Sequence, residues 1–201
     1  MAIPTRQIRA IFDEETITVY QAFNKHIAEA ALKAQTFVPP FKKERMTWIK
    51  PSFLWMMYRS GWASKENQEI ILSIKIKREG FDWIINHSCL SHFTPEVYAS
   101  QEEWNKIKNS SPVRIQWDPE KDIHLNALNY KSLQIGMKAE AVQHYIDDWI
   151  VSIKDITGDC KAIKRMIDSG DIEKATELLP LEEVYNLKEH IGQKINICKN
   201  I

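Results

Sequence analysis

The segment from Arg45 to Trp62 constrains the fold most strongly, because its centre has no polar side. Pro51 suits the first position of a helix, and residues 52–58 follow it with side chains that are apolar in nearly every direction. A helix that is apolar all round is stable only where other elements cover it. We therefore predict a buried helix here, with Gly61 as its C-cap and the rest of the chain folded around it.

Hydrophobic periodicity predicts the surrounding elements. Alternation of polar and apolar residues, or a run of β-branched residues, predicts strands over 6–12, 16–20, 68–77, 113–118 and 132–136. Helical spacing predicts helices over 21–35, 81–89, part of 94–108 and 139–153. Pro119 is expected to stop the strand before it, and Thr157-Gly158-Asp159 to break the last of these helices. Two short helices joined at Ser169-Gly170-Asp171 are expected to follow.

Strands and helices that do not alternate regularly predict an α+β fold. We expect a single domain over residues 1–201, with a small, mostly antiparallel sheet, flanking helices and a helical C-terminal tail. Residues 158–201 form that tail, as an extension packed on the domain. A length of 201 residues with 44% hydrophobic composition is enough to bury one core.

Composition narrows the functional classes. The chain has 27 basic and 27 acidic residues, so bulk charge gives no argument for nucleic-acid binding, although a local basic site stays open. No apolar run approaches the roughly 20 residues of a membrane helix, and residues 1–6 lack the apolar core of a signal peptide. The three cysteines, Cys89, Cys160 and Cys198, are odd in number and far apart, which fits reduced thiols. We expect a cytoplasmic protein with no membrane partner; its oligomeric state stays open.

Metal binding is not predicted. The segment from His87 to His92 contains two histidines and a cysteine, but it has no second cluster and departs from zinc-site spacings.

The strand at 113–118 predicts a row of functional side chains. Arg114, Gln116 and Asp118 fall on one face, about 7 Å apart along the strand, and Glu120 lies just beyond. Such a row can hold ligand hydroxyls or place a carboxylate against a reacting carbon. The alternative is a solvated strand face, since antiparallel sheets commonly have one wet side. The candidate catalytic residues are Gln116, Asp118, Glu120 and Tyr20.

The margins of the apolar helix carry cations and hydrogen-bonding groups. A helix N-terminus with cations nearby is a natural anion site. Trp48 or Trp62 offers a ring for stacking a base or a nicotinamide. The alternative is a core helix whose long cationic side chains reach out to solvent. The candidate ligand-binding residues here are Arg45, Thr47, Trp48, Lys50, Ser52, Tyr58 and Arg59.

The start of the chain repeats the pattern. Arg6 and Arg9 flank the first predicted strand, and the arginine fork suits phosphate or carboxylate. The alternative is ordinary surface charge. The candidate ligand-binding set is completed by Arg6, Arg9, Gln21, Arg114 and Gln134.

The string Ser-Phe-Leu-Trp-Met-Met-Tyr-Arg at 52–59 resembles the hallmark of the domain of unknown function family 4291. The resemblance covers most of the chain, and Lys131 departs from the arginine that family members usually carry, which puts a bidentate contact there in doubt. It implies no established activity. The matching residues, rich in Arg, Gln, Tyr, Trp and Asp, imply a polar pocket with stacking surface. Further matching segments are 6–10, 19–22, 45–51, 116–120, 134–136 and 155–157.

Two functional hypotheses follow. The first is a transferase or hydrolase that acts on a nucleotide, or on a nucleic acid through one. Its concrete form loosely resembles ADP-ribosyltransferase chemistry on a dinucleotide, with NAD or another nucleotide as cofactor and a carboxylate that stabilises an oxocarbenium-like centre. The second is a non-catalytic RNA- or protein-binding module that uses the Trp48–Trp62 surface, which requires exposed tryptophans. Whether the chain is an enzyme stays open.

Overall fold

The computed structural model describes residues 5–197; the prediction for Cys198 lies outside that range. The described strands are β1 Arg9–Ala10, β2 Thr16–Phe23, β3 Thr47–Ile49, β4 Ile70–Lys77, β5 Ser88–Leu90, β6 Val113–Lys121, β7 Ala127–Met137, β8 Ile150–Asp155 and β9 Glu183–Val184. The described helices are α1 Lys25–Ala34, α2 Phe53–Ser60, α3 Arg78–Asn86, α4 Gln101–Ser110, α5 Glu140–His144, α6 Thr157–Asp168, α7 Ile172–Glu177 and α8 Glu189–Lys194. A π-helical turn, Tyr145–Trp149, follows α5 directly.

Three small sheets organise the chain. Their strand orders are β2-β4-β8, β3-β7-β6-β5 and β1-β9. Every described strand pair is antiparallel except β5 with β6. The two larger sheets are joined where Tyr20 and Lys50 exchange backbone hydrogen bonds of 2.7 and 3.1 Å. The predicted α+β class, with small antiparallel sheets and flanking helices, is confirmed.

The main core lies against one face of the four-stranded sheet. The register sets Ile49, Ile135 and Ile115 side by side on β3, β7 and β6, and all three are fully buried. Burying each such side chain contributes about 1.5–3 kcal/mol. The opposite face of these strands is therefore free for polar side chains, because successive residues point to opposite sides.

Helix α2 is buried, as its apolar composition predicts. Phe53, Met56 and Met57 form a second core with Cys160 and Ile163 of α6. Ser52 caps its N-terminus by accepting a hydrogen bond from Trp55 N at 3.2 Å. Gly61 ends it with φ of 59°, a conformation that glycine adopts without strain. The C-terminal segment thus covers the helix that the sequence required to be covered.

Two element boundaries differ from prediction. The predicted helix over 21–35 begins too early, because β2 continues to Phe23 opposite Ile70 and Asn24 then caps α1. Pro119 does not stop β6, which continues to Lys121. The register shifts between Pro119 and Lys121, and such a bulge accommodates a residue without an N–H donor.

The predicted helix over 139–153 is confirmed up to Trp149 and wrong only over its last four residues. Residues 150–155 form β8, which pairs with β4 as the third strand of its sheet. The three-residue spacing of Ile150 and Ile153 fits a helix and not a regular strand, but the register shift in β4 sets them opposite Ile76 and Ile74. The Thr157-Gly158-Asp159 segment begins α6 instead of breaking a helix.

Smaller differences concern short elements. Helix α3 begins at Arg78 and ends at Asn86, so the end of the predicted helix over 81–89 belongs to β5. Only Arg9–Ala10 of the first predicted strand is extended sheet. Up to residue 197, the tail contains the helices α6, α7 and α8 and the short strand β9, which pairs with β1. In the described part of the chain, no helix is both long and apolar enough to cross a membrane.

Candidate functional site

One face of the four-stranded sheet is polar, and it defines the candidate site. The register sets Gln134 beside Gln116 and Ser132 beside Asp118. Because these residues alternate with the buried isoleucines, their side chains lie on the face away from the main core. We call this surface the polar face. The described residues on it are Trp48, Lys50, Arg114, Gln116, Asp118, Ser132, Gln134 and Gly136, and Glu120 joins them beyond the register shift, where its carboxylate lies near Ser132.

Gly136 lets an aromatic ring lie flat on the polar face. A Cβ at Gly136 would be 2.8 Å from Cζ2 of Trp48 and 2.8 Å from Sδ of Met46. Such distances are shorter than carbon or sulfur contacts allow. A glycine is therefore required for Trp48 to cover β7, and Trp48 remains half-buried in that position.

A cavity of about 520 Å³ lies at one end of the polar face. Helix α2 contributes Met56 and Arg59 to it, spaced three residues apart on one side of the helix. The strands contribute Trp48, Lys50 and Gln134. We call this cavity the Lys50 pocket; its rim is formed by Glu66, Asn67 and Gln68.

Lys50 is buried without a direct partner. It is 4% exposed, and in the described part of the chain its Nζ makes no hydrogen bond or ion pair. Burial lowers the pKa of Lys50 to about 8; the positive charge of Arg59 lowers it further and Asp118 raises it. A buried cation without a partner is destabilising, so this pocket favours an anionic ligand.

Asp118 is held in place by two glutamines. Gln116 Nε2 donates to Oδ1 at 3.0 Å, and Gln134 Nε2 donates to Oδ2 at 2.9 Å. Because an ionised carboxylate only accepts hydrogen bonds, both amides must turn their NH₂ groups toward it. The carboxylate is thus fixed near Lys50, whose pKa it raises.

A second group of polar side chains lies further along the same strands, at the N-terminus of α2. Ser52 Oγ donates to Glu120 Oε1 at 2.8 Å, and Lys121 N donates to the same oxygen at 2.9 Å. Glu120 is only 3% exposed, and its Oε2 has no hydrogen-bond partner among the described residues. Burial raises the pKa of Glu120, against the lowering effect of the Lys121 and Ser52 hydrogen bonds. Ser132 Oγ lies near the carboxylate without a well-formed hydrogen bond.

A residue that the sequence did not single out, Glu182, joins this group from the C-terminal segment. Its Oε1 accepts a hydrogen bond from Phe53 N at 2.6 Å. Arg9 Nη2 donates to the backbone oxygen of Glu182 at 2.8 Å. Burial raises the pKa of Glu182 to about 8, and the negative charge of Glu120 adds to the shift. The Glu120 cluster is Arg9, Ser52, Glu120, Ser132 and Glu182.

The family model described as "Domain of unknown function (DUF4291)" matches residues 7–185. The chain belongs to the DUF4291 family. The matched range contains the Lys50 pocket and the whole Glu120 cluster, including Glu182. A search of curated proteins finds no match to this chain.

Several predicted ligand-binding residues of this DUF4291 chain have their polar groups engaged within the protein. The guanidinium of Arg114 donates to backbone oxygens of Ser111, Val113 and Lys108, and to Cys89 Sγ at 3.3 Å. Arg114 therefore ties α4 to the sheet, contrary to the expectation that it faces a ligand.

Tyr20 and Gln21 are also interior. Tyr20 is 2% exposed and packs edge-on against Phe53, and burial raises its pKa. Gln21 donates to Thr47 Oγ1 at 2.8 Å and accepts from the Tyr145 hydroxyl at 2.9 Å. This chain of hydrogen bonds satisfies three buried polar groups. Gln21 and Thr47 contribute to the wall of the Lys50 pocket with their positions fixed in this way.

The predicted arginines separate in space. Arg59 lines the Lys50 pocket, whereas Arg6 is not among its lining residues. Arg6 pairs through its backbone with Lys131, and its Nε is buried without a partner among the described residues. Arg45 is exposed and lines a smaller neighbouring cavity of about 220 Å³.

The tryptophans are not exposed in the way that the binding-module hypothesis requires. Trp55 and Trp62 are 7% and 5% exposed. Tyr58 is 42% exposed, but its ring stacks on Trp55, and the Lys121 ammonium lies 3.9 Å from its centroid. The expected exposed aromatic surface from Trp48 to Trp62 is therefore wrong at two of its three tryptophans. Among the described residues, no group of three or more His, Cys, Asp and Glu side chains is placed to hold a metal ion.

Proposed function

We propose that this protein is a transferase or hydrolase that acts on a nucleotide, or on a nucleic acid through one, with ADP-ribosyltransferase-like chemistry on a dinucleotide such as NAD. One observation carries the proposal. The polar face holds a buried carboxylate, Glu120, on the same sheet surface as a cavity lined by two cations, Lys50 and Arg59; among residues 5–197, one Glu120 oxygen has no hydrogen-bond partner and neither cation has an ion-pair partner.

The Lys50 pocket has the properties of a phosphate site. Lys50 and Arg59 supply positive charge, and the arginine fork bonds two phosphate oxygens at once. Trp48 supplies an aromatic surface for a base or a nicotinamide ring. The volume of about 520 Å³ is within the range of small-molecule sites, about 300–1,000 Å³.

The Glu120 cluster supplies the chemistry. When a nicotinamide leaves with the electron pair of its glycosidic bond, positive charge develops on the ribose carbon, and a fixed carboxylate stabilises that charge. Ser52 holds one oxygen of Glu120; the other has no partner among the described residues but is buried, so the proposed contact requires the site to open. The glutamines keep Asp118 oriented to accept a proton from the attacking water or acceptor hydroxyl.

Nicotinamide release from NAD, followed by chromatography, tests the proposal. The wild-type protein is expected to release nicotinamide, and Glu120→Gln is expected to lower the rate about 10²–10³-fold, the usual effect of removing one charge-stabilising group. Glu177→Gln on the exposed side of α7 is the matched control and keeps the wild-type rate. Absence of binding and of product with NAD and other nucleotides at millimolar concentration overturns the proposal.

A further inference from the structure

The amine of Lys50 is placed for covalent chemistry. Most lysine amines lie in water, but Lys50 is 4% exposed and lines the cavity between α2 and the polar face. In the described part of the chain, its Nζ makes neither a hydrogen bond nor an ion pair. A desolvated lysine amine beside another cation is the usual form of a nucleophilic lysine.

The groups around the amine belong to different elements. Arg59 from α2 and Glu66 from the segment after α2 line the cavity, and Asp118 on β6 acts on Lys50 through its charge without lining the cavity. Tyr20 on β2 bonds the backbone of Lys50, and its ring is packed in the second core. Burial and the charge of Arg59 lower the pKa of Lys50 to about 8. At that value about half of the amine is neutral at pH 8 and about a tenth at pH 7.

We propose that Lys50 is a nucleophile that forms an imine with a phosphorylated aldehyde, while Arg59 binds the phosphate and Asp118 transfers protons. The Lys50 nitrogen attacks the carbonyl carbon and a C–N bond forms. The nitrogen gives up its two protons to the carbonyl oxygen, which leaves as water, and the C=N double bond remains. Hydrolysis reverses the reaction, so neither an oxidant nor a reductant is consumed.

The cavity contains what this reaction needs. Arg59 is exposed, and its guanidinium makes no hydrogen bond to any described residue. Asp118 is held by two amide donors, which fix the carboxylate while its charge acts on the amine of Lys50. The imine chemistry does not involve Glu120, and therefore does not depend on the proposed glycosidic-bond chemistry.

Pyridoxal 5′-phosphate is a suitable probe, because it carries one aldehyde and one phosphate. The native protein is treated with the probe, reduced with borohydride and mapped by peptide mass spectrometry. We expect Lys50 to be modified at least about tenfold faster than exposed lysines, because the lowered pKa leaves more of its amine neutral and the cavity admits the aldehyde. Lys33 on the exposed side of α1 is the internal control.

Three experiments test separately whether Lys50 is the nucleophile, whether Arg59 binds the phosphate, and whether phosphate occupies the Lys50 pocket. Lys50→Arg keeps the charge and abolishes the fast modification, whereas Lys33→Arg leaves it unchanged. Arg59→Gln raises the half-maximal concentration of pyridoxal 5′-phosphate about tenfold and does not change that of pyridoxal, which lacks the phosphate. Inorganic phosphate protects Lys50 and does not protect Lys33, a result that requires no variant.

Modification spread over exposed lysines with Lys50 unmodified overturns the inference, as does modification of Lys50 only after unfolding. Loss of the Arg59 effect and of phosphate protection overturns the role given to Arg59. The nucleotide proposal is tested separately by adding NAD as a competitor. Fast modification of Lys50 that NAD does not slow supports the imine inference and counts against nucleotide binding in the Lys50 pocket.

Discussion

The Lys50 pocket and the Glu120 cluster lie on one sheet face, but they differ in how their buried charged groups are hydrogen-bonded. Lys50 is a cation whose amine has no direct partner in the described residues. Glu120 is an anion with two donors on one oxygen and none on the other. Burial disfavours the charged form of both groups. It lowers the pKa of Lys50 and raises the pKa of Glu120.

This difference indicates a division of labour. The Lys50 pocket leaves its charge for a ligand to neutralise, which suits binding. The Glu120 cluster is held by α2 and by the C-terminal segment, which suits a group that must keep one orientation during a reaction. Perturbed pKa values are common at functional sites, and here they occur at both ends of the same surface.

A kinetic comparison of two variants is expected to give the largest effect. Glu120→Gln removes the charge that stabilises the reacting carbon, so we expect kcat to fall about 10²–10³-fold with KM within about threefold. Lys50→Gln removes ligand binding instead, so we expect KM to rise with a smaller change in kcat. Steady-state NAD cleavage measures both. The same pattern in both variants contradicts the division of labour.

Ser52→Ala gives the next largest effect, on stability. It removes the cap of α2 and leaves Glu120 buried with one donor fewer, so we expect a loss of about 2–3 kcal/mol. Ser100→Ala is the matched control, because Ser100 caps the exposed start of α4 and contacts no carboxylate. It is expected to cost about 1 kcal/mol. Urea unfolding measures both; equal losses mean that the Ser52–Glu120 bond is not stabilising.

Gly136→Ala is expected to cost about 1–3 kcal/mol, because the new Cβ overlaps Trp48 and Met46. Gly158→Ala on α6 is the control, since no atom lies within 4 Å of its added Cβ. We expect the control to be neutral or slightly stabilising. Tryptophan fluorescence reports the displacement of Trp48. An unchanged spectrum and stability in Gly136→Ala shows that Trp48 does not depend on the glycine.

The pH dependence of stability is expected to have opposite signs in the two regions. The pKa of Glu182 rises on folding from 4.5 to about 8, so the folded state holds the proton more tightly and stability falls as pH rises across that interval. The pKa of Lys50 falls on folding from 10.5 to about 8, so stability rises with pH between 8 and 10.5.

Thermal unfolding as a function of pH tests the two pH dependences assigned to Glu182 and Lys50. Glu182→Gln is expected to flatten the Tm curve below pH 8, and Lys50→Met is expected to flatten it above pH 8. Each variant serves as the control for the other half of the range. A variant that changes the slope in the wrong half contradicts the assignment of that titration.

Local sequence patterns were sufficient to predict the helix and the strand that form the Lys50 pocket. The apolar helix, its C-cap at Gly61 and the alternation along β6 are set by residues close together in the chain, whereas the N-cap at Ser52 was not predicted. They therefore place Lys50 and Arg59 at opposite ends of α2 and Asp118 on the polar face.

The Glu120 cluster was only partly predictable, because its parts meet through long-range contacts. Glu182 reaches the start of α2 only because β9 pairs with β1, and a two-residue strand gives no periodic signal. The β8 strand was missed because the three-residue spacing of Ile150 and Ile153 fits a helix, and only the register shift in its pairing with β4 sets both residues opposite isoleucines. For Arg114, the sequence predicted the correct face of β6 but not the role. Its guanidinium donates to backbone oxygens and is not available to a ligand.

Calorimetric titration of NAD into the wild-type protein and Arg59→Gln tests the central claim most directly, namely that the Lys50 pocket binds a phosphorylated nucleotide. We expect binding by the wild type and a loss of about tenfold or more in Arg59→Gln, since a charge-assisted hydrogen bond contributes about 1.5–3 kcal/mol. Glu177→Gln is expected to bind like the wild type. No binding by the wild type at millimolar NAD, or equal affinity in Arg59→Gln, contradicts the account.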